Sequence, residues 1–173
     1  MQRISIIQGQ HAVIAEPNRL IATVLGSCIA VCLYDPAAKV GGMNHFLLGD
    51  PAPGQMVNPQ EMQRYGVHSM ELLINEMMRR GAARQRLRAH VYGGAKIIAG
   101  VGGIGSSNAA FARRFIETEG IVIGHVDVGG NHARKVEFRP FEGKARSIAV
   151  TDLPPPPVAK PLLPAHAGDV ELF

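Results

Sequence analysis

The sequence lacks the features that mark secreted and membrane-spanning proteins. It contains only two cysteines, Cys28 and Cys32, which are too few and too close together for a disulfide framework and favour a reducing compartment. The opening residues, MQRISIIQGQ, lack the long apolar core of a signal peptide. No apolar run approaches the roughly 20 residues that span a bilayer. We therefore expect a soluble, cytoplasmic protein without membrane insertion.

Aromatic residues are also scarce, at 5% of the chain, and this bears on how the positive charge is interpreted. The net charge is +4, and its densest cluster holds five arginines: Arg79, Arg80, Arg84, Arg86 and Arg88. RNA-binding surfaces favour aromatic side chains among such cations, and none lies within this cluster. We therefore predict no nucleic-acid partner and a solvated face beside a helix end, with an acidic protein surface as the alternative.

The chain does contain enough apolar residues for one folded domain. Its 46% hydrophobic content and 20 glycines are typical of a compact, turn-rich globular protein. The composition changes at residue 152, where a segment with six prolines and no hydrophobic period begins. We predict one domain over residues 1–151 and an extended or disordered tail over residues 152–173.

The hydrophobic pattern predicts many short strands and two helices. The strands are expected at residues 3–7, 11–15, 20–25, 29–34, 43–48, 87–92, 121–127, 134–138 and 145–151, and the first two predict an amino-terminal hairpin around Gly9. One helix is predicted over residues 61–80, with an apolar stripe formed by Met70, Leu73, Ile74, Met77 and Met78. A second is predicted from a cap at Ser106 or Ser107 to about residue 119. This mixture indicates an α+β fold, a single layered domain with mixed or antiparallel sheets and two main helices packed on one side.

A cysteine and a histidine lie on two predicted strands that a turn joins. Cys28 stands in GSCIAVCLYD, and His45 stands in GGMNHFLLG. With Tyr34 opposite Val40, Cys28 pairs with residue 46, next to His45, and a shift of one residue would bring the two directly opposite. An imidazole beside a thiol can accept its proton and leave the nucleophilic thiolate. The spacing is therefore compatible with a catalytic pair.

The turn before Cys28 has a second property that suits catalysis. Gly26 permits a sharp bend there, which would direct the Ser27 and Cys28 amides toward a developing oxyanion. The alternative is structural, since a cysteine in an apolar run usually packs in a core and an isolated histidine is usually structural. Spacing alone leaves both interpretations open. Cys32 is predicted to be a core residue, because two cysteines alone do not build a zinc site.

The pattern G-x-G-x-x-G occurs at residues 100–105, between a predicted strand and a predicted helix. Dinucleotide-binding sites use this arrangement, but the chain that follows lacks room for the alternating strands and helices of a doubly wound sheet. We predict a loop here, with nucleotide binding as the alternative.

Five segments resemble the chemoreceptor glutamine deamidase family, CheD, in their order and spacing: LGSCIAVCLYDP, GGMNHFLL, RYGVHSMELLINEMMRRGA, VYGGAKI and IVIGHVDVGGNHARKVEF. The resemblance spans residues 20–147. It implies a three-layer α/β/β fold and a protein-glutamine glutaminase, which hydrolyses selected glutamine side chains of methyl-accepting chemotaxis receptors to glutamate through a thioester. It also implies a CheC-type phosphatase as a second partner. Such a reaction requires neither a metal nor an organic cofactor.

The resemblance assigns roles to Cys28, as the nucleophile, and to His45, as the general base and acid. The family's third polar residue is a threonine six residues before the cysteine, where this chain has Ala22, followed by Thr23. Thr23 is the candidate for the third catalytic member, although successive strand residues point to opposite faces, so it is expected to face away from the pair unless the backbone shifts. Asn44, beside His45, meets the same difficulty. The departure at Ala22 leaves an alternative function, a catalytically weak or inactive module that binds the phosphatase or the receptor.

Overall fold

The structure, a computed structural model, describes residues 1–48, 59–97 and 103–151, without the side chains of residues 59 and 63. The predicted tail at residues 152–173 and the first part of the glycine pattern at residues 100–105 lie outside the described residues. Within the described ranges, no helix is long and apolar enough to cross a lipid bilayer.

Nine strands and two α-helices make up the described parts of the chain. The strands are β1 (Gln2–Ser5), β2 (His11–Ile14), β3 (Arg19–Leu25), β4 (Ile29–Asp35), β5 (Val40–Asn44), β6 (Arg88–Gly93), β7 (Val122–Val128), β8 (Ala133–Arg139) and β9 (Lys144–Val150). The helices are α1 (Pro59–Arg79) and α2 (Ile104–Thr118). The predicted α+β fold with mixed sheets and two helices is confirmed. The second helix begins before the predicted serine cap, with Gly103 at its N-cap.

The strands form two sheets. One has the order β1-β3-β8-β9 and the other has the order β2-β5-β4-β6-β7. The prediction of an amino-terminal hairpin is wrong, because β1 pairs in parallel with β3 while β2 pairs with β5 in the other sheet. An alternating pattern shows which face of a strand is buried and does not show which strand is its partner. The first residues therefore cross from one sheet to the other.

Strand β4 shows how the layers are built, because its alternate residues enter two different cores. Ile29, Val31 and Leu33 join a core formed with the two helices. Ala30 and Cys32 join a second core, between the two sheets. The molecule therefore has three layers, with the helices on the five-stranded sheet and the four-stranded sheet on its other face.

The apolar stripe of α1 supplies much of the helix side of the first core. Its four fully buried members are Met70, Leu73, Ile74 and Met77. The fifth predicted member, Met78, is 39% exposed and lies outside the core. The stripe is therefore one residue shorter than predicted, since α1 ends at Arg79 and its last apolar residue is exposed.

The hairpin of β4 and β5 has a register one residue away from the predicted one. Asp35, rather than Tyr34, lies opposite Val40. The side chain of Asp35 stabilises this turn, since its Oδ1 accepts hydrogen bonds from the Ala37 and Ala38 amides at 2.9 and 3.1 Å. An aspartate at the first position of a turn commonly makes such bonds. At the far end, Ile29 exchanges two backbone hydrogen bonds with Phe46.

Two glycines that were predicted to lie in the turn instead lie within β5. A Cβ atom on Gly41 would come 2.8 Å from the Cα of Pro140, and one on Gly42 would come 2.8 Å from the carbonyl oxygen of Ala12. Only glycine fits where a strand approaches other backbone so closely. These glycines are thus required by tertiary packing, which cannot be predicted from the residues that favour turns.

The arginine cluster predicted to form a solvated face is extensively paired within the chain. Arg79 and Arg80 contact Glu76, Arg84 contacts Glu71 and Glu119, and Arg86 contacts Asp35. The pairs of Arg79, Arg80 and Arg84 join partly exposed side chains and contribute little to stability, whereas the carboxylate of Asp35 is fully buried. The cluster fits a helix end with compensated charge, as its position after α1 predicted.

Candidate active site

Thr23 and His45 contact each other in the space between the two sheets, and Cys28 packs against the core of that space. Thr23 alternates with Ile21 and Leu25, which both belong to the core between the sheets. His45 follows β5 and lies opposite Ala30, since the paired residues on either side are Cys32 with Met43 and Ile29 with Phe46.

Cys28 packs against that same core. It precedes Ala30 by two residues and so lies on the same face of the five-stranded sheet, diagonally across from His45. Diagonal neighbours have Cα atoms about 7–8 Å apart, with Cβ atoms closer, a separation that long side chains can bridge. The corrected register therefore keeps cysteine and histidine on one face, although they are not directly opposite as the alternative prediction had it.

Thr23 contacts His45 directly. Its Oγ1 lies 2.8 Å from His45 Nδ1, and the same oxygen lies 2.8 Å from the carbonyl oxygen of Ile6. A carbonyl only accepts, so the single hydroxyl proton of Thr23 is donated to Ile6. Thr23 must then accept its second hydrogen bond from the Nδ1–H of His45. This network leaves Nε2 as the unprotonated nitrogen of the neutral imidazole.

The expectation that Thr23 would face away from His45 is wrong. Ala22 occupies the other face of the four-stranded sheet, in register with Glu137, whose carboxylate binds Arg3 and Arg146. Thr23, five residues before Cys28, is therefore the residue that faces inward. Family spacing indicated Ala22, but the backbone places the hydroxyl one residue later.

Asn44 is not the partner of His45. Its Oδ1 accepts the Val31 amide at 2.9 Å, and its Nδ2 lies 3.4 Å from the sulfur of Met70 on helix α1. The side chain thus lies on the helix face of the sheet, as strand alternation requires.

The electrostatic environment of His45 favours the neutral ring. The residue is only 7% exposed, and burial lowers the pKa of His45 from 6.5 to about 4. A low-dielectric environment disfavours the charged imidazolium. At neutral pH His45 is therefore a neutral imidazole that can accept a proton.

The two cysteines have contrasting environments. Cys28 is partly exposed, and its sulfur lies 3.8 Å from Oε1 of Gln8. Cys32 is fully buried, and burial raises the pKa of its thiol, which therefore stays protonated. The prediction that Cys32 is a core residue is confirmed, and Cys28 is the thiol that an external group can reach.

Three consecutive carbonyl groups of the turn at Cys28 are held in place. The Gly26 oxygen accepts the Ala95 amide at 3.0 Å, and the Cys28 oxygen accepts the Gly94 amide at 2.9 Å. Between them, the Ser27 oxygen accepts Nδ2 of Asn108 at 2.9 Å. Because a peptide group is planar, fixing a carbonyl also fixes the direction of the next N–H. The peptide planes whose amides were predicted to face an oxyanion are therefore fixed.

Sequence reasoning missed the residues that hold this turn. Gly93 has a φ of +117°, and a Cβ atom there would overlap the Cys28 carbonyl oxygen. The guanidinium of Arg134 supports the same segment, donating to the Gly93 carbonyl at 3.2 Å. The Gly-Gly pair in VYGGAKI was a visible signal, because paired glycines mark close backbone approach or positive φ. Nothing in the local sequence pointed to Arg134.

Comparison with known proteins places the chain in a family. The family described as CheD chemotactic sensory transduction matches residues 47–147. A protein of Zymomonas mobilis named "Probable chemoreceptor glutamine deamidase CheD" is 49% identical over 172 residues, which cover 99% of this chain and 93% of that protein. The chain belongs to the CheD family.

Two further CheD proteins have the same name. The one from Caulobacter vibrioides is 46% identical over 176 residues, covering 99% of this chain and 93% of its own length. The one from Rhizobium rhizogenes is 51% identical over 153 residues, covering 87% and 81%. The alignments that cover 99% of the chain include the amino-terminal segments with Thr23, Cys28 and His45, which precede the family match at residue 47.

Among solved structures, the Bacillus licheniformis hypothetical protein YfiH has a distantly similar backbone. Its TM-score is 0.44 at 14% identity, and the match covers 68% of this chain and 49% of that one. So low a score carries no inference about function.

Proposed function

We propose that this CheD-family chain is a chemoreceptor glutamine deamidase that hydrolyses selected glutamine side chains of methyl-accepting chemotaxis receptors to glutamate. The observation that carries the mechanism is the hydrogen bond from His45 to Thr23, which leaves the basic nitrogen of a neutral imidazole unprotonated on the sheet face that also carries the partly exposed Cys28. The names of the full-length relatives support the substrate class.

The first step is attack by Cys28 on the amide carbonyl carbon. As the sulfur–carbon bond forms, Nε2 of His45 takes the thiol proton. Because burial lowers the pKa of His45 to about 4, the resting imidazole is neutral, and it takes the thiol proton during attack. The carbonyl oxygen becomes an oxyanion, which lies toward the amides of the fixed turn.

The second step expels ammonia. His45, now an imidazolium, donates its Nε2 proton to the amide nitrogen, the carbon–nitrogen bond breaks, and a thioester with Cys28 remains. A water molecule then attacks the thioester carbon while His45 takes one of its protons. Collapse releases the glutamate side chain, and the proton returns to the sulfur. Each cycle therefore consumes one water and replaces a neutral amide with an acid, which ionises at neutral pH.

Thr23 completes the arrangement as the acceptor for Nδ1–H. It keeps one tautomer and one ring orientation, and its oxygen stabilises the positive charge that develops on the imidazole. The alternative function, a catalytically weak binding module, depended on the absence of a suitable hydroxyl at Ala22. The contact between Thr23 and His45 removes that reason.

Two parts of the proposal rest on family resemblance alone. A CheC-type phosphatase is proposed as a second protein partner, and the cytoplasm is proposed as the location, where the signalling domains of receptors would be accessible.

The decisive experiment is mass spectrometry of a purified receptor cytoplasmic fragment after incubation with this protein. We expect a mass gain at specific glutamines that corresponds to replacement of an amide by an acid, with release of ammonia. The Cys28→Ala variant should produce neither, while Cys32→Ala should produce both. Deamidation by a folded Cys28→Ala variant would contradict the proposed nucleophile.

A further inference from the structure

A single buried amide connects the two chain segments that carry the proposed catalytic pair. Asn108 lies on α2 and is 1% exposed. Its Nδ2 donates to the Ser27 carbonyl at 2.9 Å, and its Oδ1 accepts the Leu48 amide at 3.1 Å. Ser27 precedes Cys28 directly, and Leu48 follows His45 by three residues. Asn108 thus binds one segment with its donor and the other with its acceptor.

The position of this asparagine is costly unless those bonds are made. Asparagine is a poor helix former, because its amide competes for nearby backbone groups. Burying an amide without partners costs free energy, since it loses its bonds to water. Here both polar groups of the side chain bind backbone outside α2. The pairing therefore serves the two segments at the site and is not a helix cap.

The start of α2 approaches the same turn closely, which supports this role. Gly105 lies one helical turn before Asn108, and a Cβ atom there would come 2.5 Å from the carbonyl oxygen of Gly94. Residues three apart lie on the same helix face. Gly94 in turn donates to the Cys28 carbonyl. The same helix face therefore contacts the cysteine segment directly, through Asn108, and indirectly, where Gly105 approaches Gly94.

The geometry of the peptide group shows what the Asn108 bonds fix. Binding the Ser27 oxygen sets the plane of the peptide between Ser27 and Cys28. This plane includes the Cα atom of Cys28, from which the cysteine side chain extends. Binding the Leu48 amide fixes the chain two residues after the Ile29–Phe46 bridge, in the segment that includes His45. Backbone bonds between Ile29 and Phe46 also join the two segments, so loss of either Asn108 bond would loosen their arrangement without separating them.

We propose that Asn108 is a positioning residue, which sets the separation of Cys28 and His45 through main-chain bonds to both segments without itself touching substrate. The proposal rests on the assignment of those two residues as nucleophile and base. A misplacement of about 1 Å can reduce a rate by about 100-fold, so positioning of this kind has a measurable effect.

The test compares Asn108→Asp with Asn108→Ala in a Cys32→Ala background, so that Cys28 is the only thiol. Asp is isosteric and keeps the acceptor for Leu48, but its carboxylate has no donor for Ser27. Both variants should lower kcat for deamidation about 10- to 100-fold with little change in KM. Both should also slow alkylation of Cys28 by iodoacetamide when His45 is neutral.

A pH profile separates positioning from a general loss of stability. A protonated carboxyl can donate to the Ser27 oxygen as the amide does. The alkylation rate of Asn108→Asp, relative to the Asn108 protein, should therefore rise as the pH falls from about 8 to about 5.5, since burial raises the pKa of a carboxyl. Asn108→Ala, which has no proton to gain, should show no such rise.

Asp35→Asn is the matched control. It is also an isosteric exchange of amide and acid at a fully buried side chain, but Asp35 stabilises the opposite end of β4. That end lies about 23 Å from Cys28, at about 3.3 Å per strand residue. This variant should lose stability to urea and keep its kcat.

The outcomes distinguish this proposal from the proposed function. The positioning role would be overturned if folded Asn108 variants kept the wild-type kcat. It would also be overturned if Asp35→Asn lost as much kcat as the Asn108 variants at the same loss of stability. Either result would leave the deamidase proposal intact. If the wild-type protein deamidates no receptor fragment but Cys28 alkylation still depends on Asn108 as described, the positioning role is supported and the deamidase proposal fails.

Discussion

Replacement of Thr23 by valine tests the proposed triad without changing the shape of the site. Valine matches threonine in volume but cannot bond the Ile6 carbonyl or the Nδ1–H of His45. These two groups, each 2.8 Å from the hydroxyl oxygen, would then be buried without that partner. We expect a fall in the free energy of unfolding of about 1–3 kcal/mol, the usual cost of an unsatisfied buried polar group.

The effect of this change on kcat follows from the charge that develops on His45. A hydrogen bond to a neutral group contributes about 0.5–1.5 kcal/mol and one to a charged group about 1.5–3 kcal/mol, so Thr23 stabilises the imidazolium by about 1–2 kcal/mol more than the neutral ring. Thr23→Val should therefore lower kcat about 5- to 30-fold. Thr23→Ser keeps the hydroxyl and should stay within about threefold of wild type.

The assay is ammonia release from a receptor cytoplasmic fragment at saturating concentration, with urea unfolding of each variant. Ala22→Thr is the positional control. Its new hydroxyl would lie on the other face of the four-stranded sheet, so it should not change kcat. Wild-type kcat in Thr23→Val would show that the hydroxyl serves stability alone. A gain in kcat from Ala22→Thr would show that the inward face has been misassigned.

Four other predictions concern the site and the chain around it. His45→Ala should lose most of the ammonia release, and the double variant with Cys28→Ala should be little worse than Cys28→Ala alone, since residues that act as a unit give non-additive losses. Burial lowers the pKa of His45 from 6.5 to about 4, so as the pH falls this residue is protonated in the unfolded chain before it is protonated in the folded protein. The free energy of unfolding, measured in urea, should therefore fall by up to about 3 kcal/mol as the pH is lowered from 6.5 to about 4, and by less in His45→Ala. Gly93→Ala places a methyl group against the Cys28 carbonyl at positive φ and should lower both the urea midpoint and kcat, whereas an unchanged kcat would show that the turn adapts. Truncation after Thr151 should leave the thermal midpoint and deamidation unchanged, and a large loss of either would show that the proline-rich tail contributes to the fold.

The sequence predicted those parts of the fold that depend on local pattern. The period of α1 and the apolar run of β4 are properties of the segments themselves, and both elements form close to their predicted bounds. The chemistry of Cys28 and His45 was also visible locally, because a thiol and an imidazole stood on adjacent strands. These features needed no knowledge of distant contacts.

The errors arose wherever a distant contact decided the outcome. Gly41 and Gly42 lie within β5 and not in the turn because the backbone of Pro140 and Ala12 lies against them. The identity of the inward hydroxyl depends on the face of β3 that packs in the core between the sheets. The partners of β1 and β2 depend on the assembly of both sheets. None of this information is present within a few residues of the position concerned.

The crossing of the first residues between the two sheets limits how this part of the chain can vary. It meets the His45–Thr23 pair through main-chain atoms: the Ile6 oxygen accepts from Thr23, while the Gly9 amide and the Gln10 oxygen bond the backbone of His45. Every residue type has the two carbonyl groups and every type except proline has the amide, so these bonds alone do not restrict the side chains. Three positions are restricted by other features: Ile6 packs in the core between the sheets, Gln8 contacts the sulfur of Cys28, and Gly9 has a positive φ. The number of residues is also restricted, because inserting or deleting one residue between Ile6 and Gln10 would move the bonding groups out of register. Homologous proteins with the same site should therefore agree in the length of this crossing and differ mainly at exposed positions such as Ile7.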